Sequence, residues 1–154
     1  DSYTYHKLLV LFDQMFYQKS AEEIQELKKL YPFLFPHQVY DTVWVNKSNN
    51  PDEIYLQQQV QQVFADFKSE QLQLSTLFKT IKSEFPNFKS PKVITLITDI
   101  DYESKVIYAD SLLLISLDMY LGKDHEIYKE FPSYLSTHTR PWACNRCSGS
   151  RSGR

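Results

Sequence analysis

Four groups of residues have types and spacings that could do chemistry. His125-Glu126-Ile127-Tyr128-Lys129 comes within one residue of a zinc-peptidase helix. That helix needs two histidines four apart, so that both imidazoles reach one metal while the Glu activates water. Lys129 stands where the second His would be, and its ammonium would repel zinc. The segment reads instead as a helix start, with Asp124 as the cap and Glu126 in the first turn.

Asp99-Ile100-Asp101-Tyr102-Glu103 resembles the opening of a calcium loop. Such a loop needs a glycine at its sixth position and a bidentate Glu at its twelfth. Those positions hold Ser104 and Asp110, so an acidic turn between two strands is expected. Cys144 and Cys147 have redox or half-zinc spacing, but only His138 lies near as a further ligand. Finally, Asp110 and Asp118 bracket the apolar run Leu112–Leu117. Carboxylates beside a core strand ordinarily accept turn or backbone hydrogen bonds, and the alternative is a binding role shared with Tyr120. Asp110, Asp118, Tyr120, Asp124 and His125 are thus the possible binding or structural residues. No catalytic residue, metal ligand or cofactor is expected. A phosphate loop is excluded in a body whose only glycine is Gly122.

The elements that must position these residues can be read from periodicity. Tyr5, Leu8, Leu9, Phe12 and Phe16 predict a helix over about 4–17. Ser20 and Glu23 form a capping-box signature for a second helix with Ile24, Leu27 and Leu30 as its stripe. The Tyr31–Pro36 segment stops it, because proline disfavours helix in the residue before it, and its aromatics are expected against the core. Asn50-Pro51-Asp52-Glu53 opens a third helix with Leu56, Val60, Val63 and Phe67 inward. A fourth covers about 69–84 with Leu74, Leu77, Phe78, Ile81 and Phe85 in phase. Past Pro91 the period changes: the β-branched run 93–98 predicts a buried strand, and 106–109 and 112–117 are read as two more. Gly122 and Asp124 then lead into a short helix through Tyr128. This order argues an α+β domain with N-terminal helices on one face of a small sheet of about three strands.

The 154 residues suit one domain, and 42% hydrophobic with 15% aromatic residues imply a packed core. No apolar run approaches the roughly 18–20 residues of a membrane helix. All 13 lysines lie at or before Lys129, whereas all four arginines, both cysteines and two of three glycines lie after position 139. Residues 1–138 carry 13 lysines against 19 acids, a formal charge of −6, while the last 16 carry +4. This switch predicts a 1–138 domain followed by a non-native, disordered 139–154 tail. An opening on Asp1 is expected to reflect cutting or processing. An acidic body with scattered lysines argues against nucleic-acid binding.

The stretch Val106-Ile107-Tyr108-Ala109-Asp110-Ser111 through Leu117-Asp118-Met119-Tyr120-Leu121-Gly122 to Tyr128 resembles the signature of the gliding-motility lipoprotein GldB family of Bacteroidetes-type bacteria. Tyr31–Pro36, Asp41 with Trp44, and Asn87-Phe88-Lys89 leading to Pro91–Thr95 fit it in the same order, over about residues 5 to 136. The resemblance implies an exported, membrane-tethered lipoprotein whose lipid-modified cysteine would precede Asp1. It implies a requirement for cell gliding and a link to the type IX secretion machinery, and by itself it assigns no biochemical activity. It also implies a fold similar to predicted zinc peptidases, here a truncated, zincin-like half-domain. In those proteins a metal-binding helix follows the sheet, and here that helix would begin after residue 138. The leading expectation is therefore a non-catalytic, lipid-anchored envelope component acting through protein contacts. The rival is a zincin-like metallopeptidase fragment lacking its metal-binding helix. A third reading is a small-ligand domain with Asp110, Asp118 and Tyr120 in its pocket.

Overall fold

A computed structural model describes residues 9–98, 103, 105–122 and 124–129. Among them the chain folds as α+β, with five α-helices and a four-stranded sheet. The elements are β1 (Leu9–Val10), α1 (Phe12–Phe16), α2 (Ala21–Leu30), α3 (Asp41–Ser48), α4 (Pro51–Phe64), α5 (Lys68–Glu84), β2 (Lys92–Leu96), β3 (Val106–Ala109) and β4 (Leu112–Ser116). Short 3-10 turns cover Pro32–Leu34, Leu117–Met119 and Glu126–Tyr128.

The sheet order is β1-β2-β4-β3. β1 pairs parallel to β2 (Leu9 with Val93), and β2 pairs parallel to β4 (Ile94 with Leu114). β3 is the antiparallel outer strand, joined to β4 by Asp110-Ser111. Asp110 takes a left-handed φ of 54°, a conformation that Asp tolerates better than most residues. The parallel alignment places the carboxyl ends of β1, β2 and β4 on one side.

The helix expected over 4–17 is not what forms in the described part. Leu9–Val10 is a strand and the helix is confined to Phe12–Phe16. A strand that feeds a parallel sheet is a continuous apolar run, and such a run mimics a helical stripe. This adds a fourth strand to the expected three. α3 is a further addition: Val43 is exposed while Trp44 and Val45 are half-buried, so its sequence shows no clear stripe.

α2 begins as its signature predicts. The Glu23 amide donates to Ser20 Oγ at 3.3 Å, and the Ser20 amide donates to Glu23 Oε2 at 2.9 Å. α4 is capped by Asn50, whose Oδ1 accepts from the amides of Asp52 and Glu53. Its inward stripe is Glu53, Leu56, Val60 and Phe64, so the expected Val63 faces out. Phe67 is buried, but it stands before α5 with φ 58°, after Ala65 at φ 42°. In α5, Leu74 and Phe78 are buried as expected, whereas Leu77 and Phe85 are exposed. Phe35 packs in the core, while Phe33 between the same prolines faces solvent. The core joins Ile24, Val60 and Phe78 of the helices to Val93, Ile94 and Ile115 of the sheet.

The short helix expected to end at Tyr128 is a single 3-10 turn over Glu126–Tyr128. His125, not Asp124, is its N-cap: Nδ1 accepts from the Ile127 amide at 3.3 Å. Gly122, with φ 114°, makes the turn that a side chain would oppose. Of the calcium-like stretch, Asp99–Tyr102 and Ser104 lie outside the described residues, as do the cysteine pair and the whole 139–154 tail.

Candidate functional site

In sheets of parallel strands, groups that follow the carboxyl ends converge on one crevice. Here Asp13 lies three residues beyond β1, Thr98 two beyond β2, and Asp118 two beyond β4. Asp13 and Asp118 are 2% and 0% exposed, so the fold has taken two carboxyl groups out of water at this edge.

Each is satisfied by the chain. The Thr95 hydroxyl, on β2, donates to Asp13 Oδ1. Burial raises the Asp13 pKa above the ordinary carboxylate value, and the Thr95 hydrogen bond works against that rise. The Thr98 amide donates to both carboxylate oxygens of Asp118 at 3.2 Å, and its hydroxyl reaches Oδ1 at 3.5 Å. Asp118 therefore staples the end of β2 to the turn after β4.

A second layer comes from α1, α3 and α4. The Tyr17 hydroxyl donates to Glu53 Oε2 at 3.0 Å, and Lys47 Nζ contacts both Glu53 oxygens at 2.7 and 2.9 Å. Burial pushes the Tyr17 pKa far up. The charge and hydrogen bond of Glu53 add to this, as do Asp118 and Asp13. Tyr17 is thus held as a neutral phenol that donates. A cavity of about 150 Å³ opens beside this layer, with Asp13, Tyr17 and Lys47 on its wall. Much of the rest of the wall is aromatic: Phe12, Phe16, Phe35 and Trp44. The rings lock one another, with Phe35 and Trp44 edge-to-face at 5.0 Å and Phe12 and Phe16 stacked at 5.5 Å.

The residues singled out from sequence do not form one pocket. Asp110 sits exposed at the β3–β4 hairpin, whereas Asp118 follows the far end of β4. The five residues of β4 separate them by roughly 16 Å. Tyr120 is half-buried, and burial raises its pKa. Asp124 is exposed in a turn. The His125 ring lies edge-on to Tyr128 at 6.2 Å. Tyr128 ties this region together, because its hydroxyl donates to the Asp118 carbonyl and accepts from the Leu121 amide at 3.3 Å. Burial raises the Tyr128 pKa, and the Asp118 charge adds to it. No group of three or more His, Cys, Asp or Glu side chains among the described residues is arranged to hold a metal ion.

Sequence reasoning missed Asp13, Tyr17, Lys47 and Glu53. Asp13 did leave a signal, as an acid inside the apolar run Leu11–Phe16. Glu53 was legible only as a helix-start acid, and nothing local links it to Tyr17, 36 positions earlier.

The family described as gliding motility protein GldB matches residues 7–143, most of the chain. No curated protein and no solved structure matches. The chain belongs to the GldB family, which makes it a gliding-motility-associated protein and implies a cell-envelope location. Among the described residues no helix is long and apolar enough to cross a membrane.

Proposed function

With membership of the GldB family as premise, we propose that this chain is a non-catalytic component of the gliding and type IX secretion machinery. It is held at the envelope by a lipid anchor on a cysteine preceding Asp1 and works through contacts with other machinery proteins. The observation that carries the reading is the outer strand of the sheet. All four residues of β3 are exposed, with Val106 at 45%, Ile107 at 41% and Tyr108 at 60%. Among the described residues its outer edge pairs with no strand. Such an edge offers backbone donors and acceptors flanked by apolar side chains, which is the surface that strand addition uses.

The buried carboxyl groups fit the same reading. Asp118 holds two strand ends together and Glu53 joins three helices, so these acids have structural work to do.

The test is complementation. In cells lacking the gene, the full-length protein carrying Val106→Lys and Tyr108→Lys is expected to reach normal abundance with an unchanged far-UV spectrum, yet to leave gliding unrestored. Full restoration by that variant would refute the edge-contact reading. Stoichiometric zinc together with peptide hydrolysis by the purified full-length protein would replace it with the metallopeptidase alternative.

A further inference from the structure

Among the buried acids described above, Asp13 stands apart in one respect. Glu53 has Lys47 against both its oxygens, whereas the partners of the Asp13 carboxyl group are the Thr95 hydroxyl and its own backbone. No cation among the described residues pairs with it. Burial without a cation favours the protonated form of this acid, and a cationic guest in the adjoining cavity would favour the ionised form instead.

The cavity wall narrows the identity of the guest. Five aromatic residues, Phe12, Phe16, Tyr17, Phe35 and Trp44, share the wall with Asp13. Aromatic rings beside a carboxylate form the environment in which organic ammonium ions are held, because the rings supply quadrupole attraction and apolar contact together. Lys47 is the ammonium on this wall, and Glu53 engages it through both oxygens, so it does not serve as the counter-ion of Asp13. A hard metal ion would require several oxygen ligands, which this ring-lined wall lacks. The volume of about 150 Å³ is the size that elsewhere accommodates benzene, so the guest has a body of about five to seven non-hydrogen atoms.

We propose that the cavity walled by α1 and α3 is a binding site for a small alkylammonium ion, with Asp13 as its counter-ion and the five aromatic residues as its cage. The ammonium takes the position opposite the Asp13 carboxylate while its alkyl groups contact the rings. Thr95 fixes the carboxyl orientation from the sheet, and the Lys47–Glu53 pair closes the cavity to a competing internal cation.

The experiment is calorimetric titration of the full chain with tetramethylammonium and n-butylammonium chlorides, set against 1-butanol and sodium butyrate. The ammonium probes are expected to saturate a single site about tenfold more tightly than 1-butanol, with butyrate weakest. Asp13→Asn, which preserves side-chain shape, is expected to bring ammonium binding down to the level of the alcohol and leave the alcohol unchanged. Equal binding of ammonium and alcohol by the unaltered protein would reduce the cavity to a merely apolar one and overturn the proposal. Absence of saturable ammonium binding would do the same. Because the probe comparison uses the unaltered protein, it decides the question even where Asp13→Asn does not fold.

Discussion

Replacing Glu53 with alanine should be one of the most damaging single changes outside the hydrocarbon core, and its cost can be built from parts. Tyr17 is 9% and Glu53 8% exposed. Without Glu53 the Tyr17 hydroxyl loses its acceptor while still buried, a penalty of about 1–3 kcal/mol. The Lys47 pair adds less, because the Lys47 side chain is 32% exposed and can turn to water, so about 0.5–1 kcal/mol is a discounted figure. Glu53 also lies in the first turn of α4, where its charge meets the positive end of the helix dipole for about 0.3–1 kcal/mol. Glu53→Ala should therefore destabilise the chain by about 3 kcal/mol, or roughly 6–12 °C in melting temperature. The assay is urea unfolding of the unaltered chain, Tyr17→Phe, Glu53→Ala and the double variant. The cycle should return a Tyr17–Glu53 coupling of about 1 kcal/mol, with Tyr17→Phe nearly neutral once Glu53 is gone. Additive effects of the two changes, or a Glu53→Ala cost below about 1 kcal/mol, would refute the buried-bridge account.

Two further outcomes follow from backbone and titration. Burial raises the Asp13 pKa above its ordinary 3.8, so its protonated form is the one the fold favours. The stability linked to that proton is fully present below the unfolded-state value and is lost as pH rises through the raised folded value. Asp13→Asn, which cannot ionise, should thus gain on the unaltered chain between acidic and neutral pH in urea titrations without ammonium ions. A constant difference across that range would contradict the assignment. Ala65 sits at φ 42°, ψ −102°, a region suited to glycine, so Ala65→Gly should stabilise the α4–α5 turn by about 1 kcal/mol in the same assay. A loss of stability would show that the turn is held otherwise.

Much of the fold was legible in local pattern. Ser20 with Glu23 and Asn50 with Pro51 announce helix starts because caps act within one turn, and both occur where the sequence places them. The segments of β3 and β4 were legible as short apolar runs, and the structure pairs them as a hairpin through Asp110-Ser111. What failed depended on neighbours distant in sequence. Leu9–Val10 is a strand because Val93 and Ile94 offer it a ladder more than 80 positions away. Val63 lost the inward place to Phe64 because the direction of the α4 stripe is set by what α4 packs against.

The site divides the same way. The sequence by itself determined the family resemblance, the caps of α2 and α4, the segments of β2, β3 and β4 and the acids that bracket β4, all of which depend on residues close together in the chain. Only the tertiary structure decided that Asp13 and Asp118 end on one edge while Asp110 stays at the other. Only it joined Tyr17 to Glu53 and enclosed a ring-lined cavity beside Asp13. Parallel pairing aligns strand ends that are far apart in sequence, and burial then turns ordinary carboxyl groups into costly ones that need a partner.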